Sequence, residues 1–126
     1  MQGDVTITTP ASAEYVHILR VVLAGILAAN DYTIDQIEDL KIAVSEAAAQ
    51  LLAMPGGTTL SLGVEESNGD VRLRLTCDAA GQAWPPPDVE RTFSWQVLSA
   101  LADEVHFRRA QGDAVLELTS RRSGGN

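Results

Sequence analysis

The sequence is poor in cysteine, in basic residues and in long apolar runs. A single cysteine, Cys77, excludes an internal disulfide and is typical of a protein from a reducing cytoplasm. No apolar run approaches the roughly 18 residues that a membrane-spanning helix needs. The first four residues, Met1 to Asp4, contain no basic region of the kind that opens a secretory signal. These absences predict a cytoplasmic protein that has no membrane partner.

Basic residues are outnumbered, with 9 Lys and Arg against 17 Asp and Glu and a formal net charge of -8. Phosphate binding needs clustered Lys and Arg, so we expect no direct contact with nucleic acid. Acidic residues crowd the start of the second predicted helix, at Asp31, Asp35, Glu38 and Asp39. Acid at a helix start suits the macrodipole, and a basic protein partner is the alternative explanation.

Apolar periodicity predicts the order strand, two helices, two strands, one short helix, two strands. The predicted strands are 5–8, 58–65, 70–77, 105–109 and 114–119, and the predicted helices are 13–29, 33–54 and 93–102. Ser12 and Thr33 are the predicted N-caps of the first two helices. Two consecutive helices exclude a doubly wound sheet. We therefore predict an α+β fold, a two-layer α/β sandwich with a mostly antiparallel mixed sheet and helices packed on one face. It forms one domain over residues 1–122, with a flexible tail at 123–126.

The second predicted helix carries a carboxylate on an otherwise small and apolar face. At about 100° per residue, one face forms a core stripe of Ile37, Leu40, Val44, Ala47, Ala48 and Leu51. The roughly opposite face holds Glu46 and Gln50 one turn apart, together with Ile42, Ala43, Ala49 and Ala53. Burying a carboxylate among alanines is costly unless something pairs with it. The position of Glu46 therefore predicts that a ligand, a metal or a partner protein pairs with its carboxylate.

Three segments carry a resemblance to a known family: residues 10–16 (PASAEYV), 37–47 (IEDLKIAVSEA) and 93–105 (FSWQVLSALADEV). They resemble the RsbW-type anti-sigma factors, small bacterial serine-kinase-like proteins with the GHKL (Bergerat) ATPase fold. The Phe-Ser-Trp version is most similar to members from actinobacteria. The resemblance implies a transcription regulator, for instance in a stress response. It holds an alternative sigma factor away from RNA polymerase until a STAS-type anti-anti-sigma protein displaces it. Active members phosphorylate a serine on that competitor with ATP and magnesium.

The resemblance implies roles for two residues of the second helix. Glu46 matches the catalytic glutamate that orients or activates the nucleophile. Gln50 stands where the family has an asparagine that helps hold magnesium between the phosphates. Glutamine carries the same amide group as asparagine but has one extra methylene, so its oxygen would lie in a different position. Magnesium requires near-ideal octahedral geometry and tolerates such a displacement poorly. Gln50 is therefore the candidate metal and cofactor ligand, on a weakened site.

The nucleotide loop and lid of the family are also altered here. Asp78 matches the aspartate that reads the adenine amine, although an ordinary turn residue is the alternative. Gly81 matches a glycine of the nucleotide loop, whereas Ala80 replaces another and adds a methyl group where close approach was needed. The glycine-rich lid is replaced by residues 89–94 (VERTFS), after three prolines. We expect ATP or ADP with magnesium to bind weakly or not at all.

The resemblance implies that the sigma factor binds the first helix, the start of the second helix and nearby loops, usually of a dimer. The corresponding candidates here are Tyr15, Val16, Arg20 and Leu23, in a helix that is apolar on more than one side. Arg20 is either an interface anchor or a snorkelling residue at the helix edge. The predicted partners are a sigma factor, a STAS-type protein and a second copy of the chain. An active serine kinase remains the alternative to a binding module, and reuse of the fold for an unrelated interaction is a third.

Overall fold

The computed structural model describes residues 3–79 and 84–121, so Gly81 and the predicted tail at 123–126 lie outside the described residues. The elements are β1 (Gly3–Pro10), α1 (Val16–Ala29), α2 (Ile34–Leu52), β2 (Thr59–Ser67), β3 (Asp70–Cys77), α3 (Phe93–Leu101), β4 (Glu104–Ala110) and β5 (Asp113–Ser120). Single turns of 3-10 helix precede α1 at Ala13–Tyr15 and α3 at Val89–Arg91. The predicted order of elements is confirmed.

The five strands form one sheet in the order β1-β2-β3-β5-β4. Two-residue turns with positive φ, at Asn68-Gly69 and Gln111-Gly112, close the β2–β3 and β4–β5 hairpins. Such turns match the twist of antiparallel strands. Every pairing among the described strands is antiparallel, including β1 with β2 and β3 with β5. The α+β sandwich is confirmed, with an antiparallel sheet in place of the mostly antiparallel mixed sheet that the sequence predicted.

The central helix of the second layer is α2, which contacts α1, α3 and strands β3 and β5. The predicted core stripe is buried throughout: Ile37, Leu40, Val44, Ala47, Ala48 and Leu51. Ala43, which the sequence placed on the opposite face, is fully buried as well. The reason is that α1 and α3 flank α2, so more of its circumference is covered than a single stripe. No helix in the described part of the chain has the length and apolarity to cross a bilayer.

Of the two predicted N-caps, Thr33 is confirmed and Ser12 is not. Thr33 forms the full capping box, accepting from the Gln36 amide at 3.1 Å while the Gln36 side chain accepts from the Thr33 amide at 2.9 Å. Ser12 makes no side-chain capping bond. Its backbone carbonyl instead accepts from the Tyr15 amide at 3.0 Å, which winds the first turn as a 3-10 helix. Helix α1 therefore begins at Val16, three residues later than the predicted start.

The sheet face away from the helices is polar. Strand alternation and register place these charged side chains on it: Asp4, Glu65, Arg72, Arg74, Glu104, His106, Arg108 and Glu117. Arg108 binds both carboxylate oxygens of Glu117 at 3.1 and 3.0 Å. This contact holds the pKa of Glu117 below its usual value of 4.5. Acid and base alternate here, so this face largely neutralises its own charge.

Candidate functional site

Glu46 and Gln50 lie one turn apart on α2, and both are half-buried. Their neighbours Ile42 and Ala49 are exposed, so this side of α2 faces solvent. Glu46 makes no hydrogen bond or ion pair with any of the described residues. Because water reaches a half-buried carboxylate, the desolvation cost that the sequence predicted is much reduced. The geometry leaves Glu46 available to a partner or ligand without requiring one.

Asp78, just beyond β3, is engaged by the start of β2. Its Oδ1 accepts hydrogen bonds from the backbone amides of Thr58 at 2.7 Å and Thr59 at 3.0 Å. Its Oδ2 accepts from the Thr58 hydroxyl. The Thr58 hydroxyl and the two amides lower the pKa of Asp78 from 3.8 to about 2. The carboxylate therefore ties the end of one strand to the beginning of its neighbour.

The hairpin register explains this arrangement, and Thr58 and Thr59 are residues that the sequence analysis missed. Leu60 pairs with Cys77, so the next position along each strand brings Thr59 opposite Asp78. Counting back from the Asn68-Gly69 turn would have found this contact. The corner is also close-packed, because a Cβ added at Gly57 would lie 2.7 Å from Cys77 Sγ and 3.7 Å from Asp78 Oδ1.

Residues 84–92 lead into α3 and include the beginning of the segment at 89–94 that replaces the family's lid; they are attached at both ends, and we call them the strap. Trp84 is 5% exposed and stacks on Phe107 of β4, with ring centroids 5.1 Å apart. Its Nε1–H donates to the Arg108 carbonyl at 2.9 Å, and its own carbonyl accepts from Arg109 Nε at 3.1 Å. At the other end, Thr92 Oγ1 accepts from the Trp95 amide at 3.1 Å and caps α3. Nothing in the sequence pattern links Trp84 to β4.

The predicted partner residues on α1 divide into two groups. Tyr15, Val16 and Arg20 are half-buried and reach the surface. The Nε atom of Arg20 is buried and has no hydrogen-bond partner in the structure. Leu23 is fully buried in the core. It lies one turn from both Leu19 and Leu27, on the face of α1 that packs inward, so the structure corrects its predicted role as a partner contact.

The chain itself occupies most of the acceptor capacity that the adenine contact implied by the resemblance would use. A carboxylate offers about four acceptor positions, and the chain itself takes three on Asp78. The remaining position, on Oδ2, lies beside the Thr58 hydroxyl. In the described part of the chain no three His, Cys, Asp or Glu side chains are grouped to hold a metal ion. Gly81, the other predicted cofactor residue, lies outside the described residues.

No protein-family profile matches the chain. Curated relatives include the serine-protein kinase RsbW of Bacillus subtilis, 42% identical over 66 residues, which are 52% of this chain and 37% of the relative. The RsbW of Bacillus velezensis is 54% identical over 66 residues, with the same shares covered. The RsbW of Staphylococcus aureus strain Newman is 58% identical over 38 residues, which are 30% of this chain and 24% of the relative.

A solved structure of the RsbU and RsbW domains of Rv1364c from Mycobacterium tuberculosis has the same fold. It superposes with a TM-score of 0.72 at 20% identity, covering 94% of this chain and 32% of the other. The chain is therefore similar to RsbW proteins over about half of its own length, and it has the fold of an RsbW domain. It matches little more than a third of the length of its Bacillus relatives. The fold and the similarity to RsbW proteins therefore follow from these comparisons, whereas activity and partners do not.

Proposed function

We propose that the chain is an anti-sigma factor that works by sequestration, with a degenerate nucleotide pocket. The observation that carries the proposal is the match to RsbW sequences together with an RsbW-domain fold over 94% of the chain. In this reading an alternative sigma factor binds across α1 and α2. A STAS-type anti-anti-sigma protein releases it, and the chain acts as a homodimer.

The surface of α1 supports this proposal. Arg20 is half-buried, so part of its side chain can contact a docked protein, although its Nε is buried and has no hydrogen-bond partner among the described residues. Ile18 and Val21, on either side of it in sequence, are 42% and 55% exposed. A half-buried arginine close to exposed apolar side chains is typical of an interface hot spot.

Titration against each sigma factor encoded in the same genome tests the proposal. We expect one of them to bind with a Kd in the micromolar range or tighter, and a STAS protein from that genome to displace it. Arg20→Ala should weaken binding by at least tenfold, while Arg72→Ala, on the opposite sheet face, should not. Failure of every sigma factor to bind would refute the proposal.

An active serine kinase is the second candidate, favoured by the similarity to serine-protein kinases and by the carboxylate of Glu46, which has no partner among the described residues. Incubation with labelled ATP, magnesium and a STAS protein would show transfer that Glu46→Ala abolishes. Gln50→Asn restores the amide length that the family uses, so it should raise the transfer rate of an active enzyme. Absence of transfer in both the wild type and Gln50→Asn would reject this candidate.

A further inference from the structure

Two side chains that flank the connection between β3 and α3 are bonded within the chain itself. On the β3 side, Asp78 takes three hydrogen bonds from Thr58 and Thr59. On the α3 side, the indole of Trp84 donates to the Arg108 carbonyl and stacks on Phe107. Asp78 is the residue to which the resemblance assigns purine recognition, and Trp84 begins the strap that leads to the segment at the family's lid position, 89–94.

The backbone at the start of β2 has little conformational freedom near Asp78. Gly57 approaches Cys77 so closely that even a methyl group would meet its sulfur at 2.7 Å. The two amides that Asp78 accepts belong to consecutive residues, so the carboxylate fixes the path of the chain into β2. Removing Asp78 would leave these amides without that acceptor, a structural cost that does not depend on any ligand.

The second anchor fixes the strap against the β4–β5 strand pair. The indole N–H of Trp84 donates to the carbonyls of Arg108 on β4 and Val115 on β5, at 2.9 and 3.3 Å. Arg109 Nε donates to the Trp84 carbonyl at 3.1 Å, so side chain and backbone are both held. The prolines that follow the tryptophan at positions 85–87 further restrict the backbone.

We propose that Asp78 and Trp84 are structural anchors that give this corner one conformation with and without nucleotide. Asp78 serves as a latch between β2 and β3, not as a reader of adenine. The proposal deepens the proposed function, on which it rests for one consequence, namely that sequestration of the partner is insensitive to ATP. The anchors themselves can be tested on the chain alone, so failure here is distinguishable from failure to bind a sigma factor.

The deciding experiment compares melting temperatures of the wild type and Asp78→Ala, each with and without millimolar ATP and magnesium. We expect Asp78→Ala to lower the Tm of the nucleotide-free chain by about 4 to 10 °C. Asp39→Ala is the matched control, because Asp39 is exposed and lies on α2 away from the latch. An unchanged Tm in nucleotide-free Asp78→Ala would overturn the proposal. So would a rise in wild-type Tm with ATP that Asp78→Ala abolishes.

Amide hydrogen exchange gives an independent readout of the latch. In the nucleotide-free wild type, the Thr58 and Thr59 amides should exchange slowly, and Asp78→Ala should speed both by at least tenfold. Added ATP and magnesium should leave these two rates unchanged. Slow exchange that is acquired only with nucleotide would overturn the proposal.

Limited proteolysis tests the second anchor. Trp84→Phe keeps an aromatic ring on Phe107 but removes the indole donor, and it should speed cleavage within the strap severalfold. Trp95→Phe is the matched control, because Trp95 also contacts Phe107, with centroids 6.2 Å apart. Equal cleavage in the two variants would overturn the assignment of Trp84 as an anchor.

Discussion

At the scale of single residues, the carboxylate of Asp78 is held by hydrogen bonds from neighbouring residues of its own chain. Its oxygens accept two backbone amides and one hydroxyl, all from residues that precede β2 or begin it. Charge-assisted hydrogen bonds of this kind favour the ionised form and lower the pKa. Glu46, by contrast, has no partner among the described residues. Of the two acids that the resemblance selects, the structure uses one internally and leaves the other free.

The low pKa of Asp78 makes a signed prediction about acid stability. The pKa is about 2 in the folded chain against 3.8 for the ordinary side chain. A carboxyl with a lowered folded pKa stabilises fully above its unfolded pKa and loses that contribution as pH falls through the folded pKa. The Tm difference between the wild type and Asp78→Asn should therefore be constant above about pH 5 and shrink between about pH 4 and pH 2. Thermal melts across this range measure it, and a difference that does not change down to pH 2 would contradict the latch.

At the scale of elements, two glycines lie in contrasting surroundings, one close-packed against β3 just before β2 and one in open space on α1. Substitutions at these two positions should therefore change stability in opposite directions. Gly57→Ala places a Cβ 2.7 Å from Cys77 Sγ, so we expect a loss of about 1 to 3 kcal/mol. At Gly25, inside α1, the added Cβ would have no atom within 4 Å apart from its chain neighbours and the nearby backbone of its own helix. Gly25→Ala should therefore stabilise by about 0.5 to 1 kcal/mol. Urea denaturation measures both changes in the free energy of unfolding.

A double mutant checks the cause that we assign at Gly57. Cys77→Ala removes the sulfur that the new methyl group would meet. The loss caused by Gly57→Ala should then be smaller in the Cys77→Ala background than in the wild type, with a coupling of about 0.5 kcal/mol or more. Additive effects would mean that the backbone at Gly57, and not the contact with sulfur, sets the cost.

The two predicted helix caps give a second prediction at this scale. Thr33→Ala breaks the capping box and should cost about 1 kcal/mol of stability. Ser12→Ala removes a hydroxyl that makes no capping bond, so the free energy of unfolding should change by less than about 0.5 kcal/mol. Chemical denaturation of the two variants gives the comparison. Equal losses would mean that Ser12 caps α1 in solution.

The sequence predicted those elements whose local signals agree with their packing. The hairpin turn at Asn68-Gly69 and the core stripe of α2 are local patterns, and both are confirmed. Ala43 and Leu23 were misplaced because their burial depends on which helices flank them, which periodicity within one helix does not record. Trp84 was missed as an anchor for the same reason, since its partners on β4 are more than twenty residues away. The sequence therefore did not predict those features of the candidate site that depend on contacts between elements.

At the scale of the whole molecule, the two layers carry charge differently. The segment that forms the two long helices contains these acidic residues: Glu14, Asp31, Asp35, Glu38, Asp39 and Glu46. Its basic residues are Arg20 and Lys41. The open sheet face instead pairs acids with bases, as in the contacts of Glu117 with Arg108 and of Glu65 with Arg72 at 3.4 Å. The field that a diffusing partner meets is therefore more negative on the helix side.

This asymmetry predicts which side of the molecule makes partner association depend on salt. We expect the docking face of the cognate sigma factor to be basic. Raising sodium chloride from about 50 to 200 mM should then lower the association rate severalfold, because salt screens the attraction between the two faces. Replacing Asp35, Glu38 and Asp39 by their amides should remove most of that dependence.

The matched control removes the same amount of charge from the other layer, by replacing Asp4, Glu65 and Glu104 with their amides. This variant should keep the salt dependence of the wild type, because those side chains lie on the sheet face away from α1 and α2. Stopped-flow association at several salt concentrations distinguishes the two variants. An equal loss in both would mean that net charge, and not the helix face, steers the encounter, and docking across α1 and α2 would lose its electrostatic support.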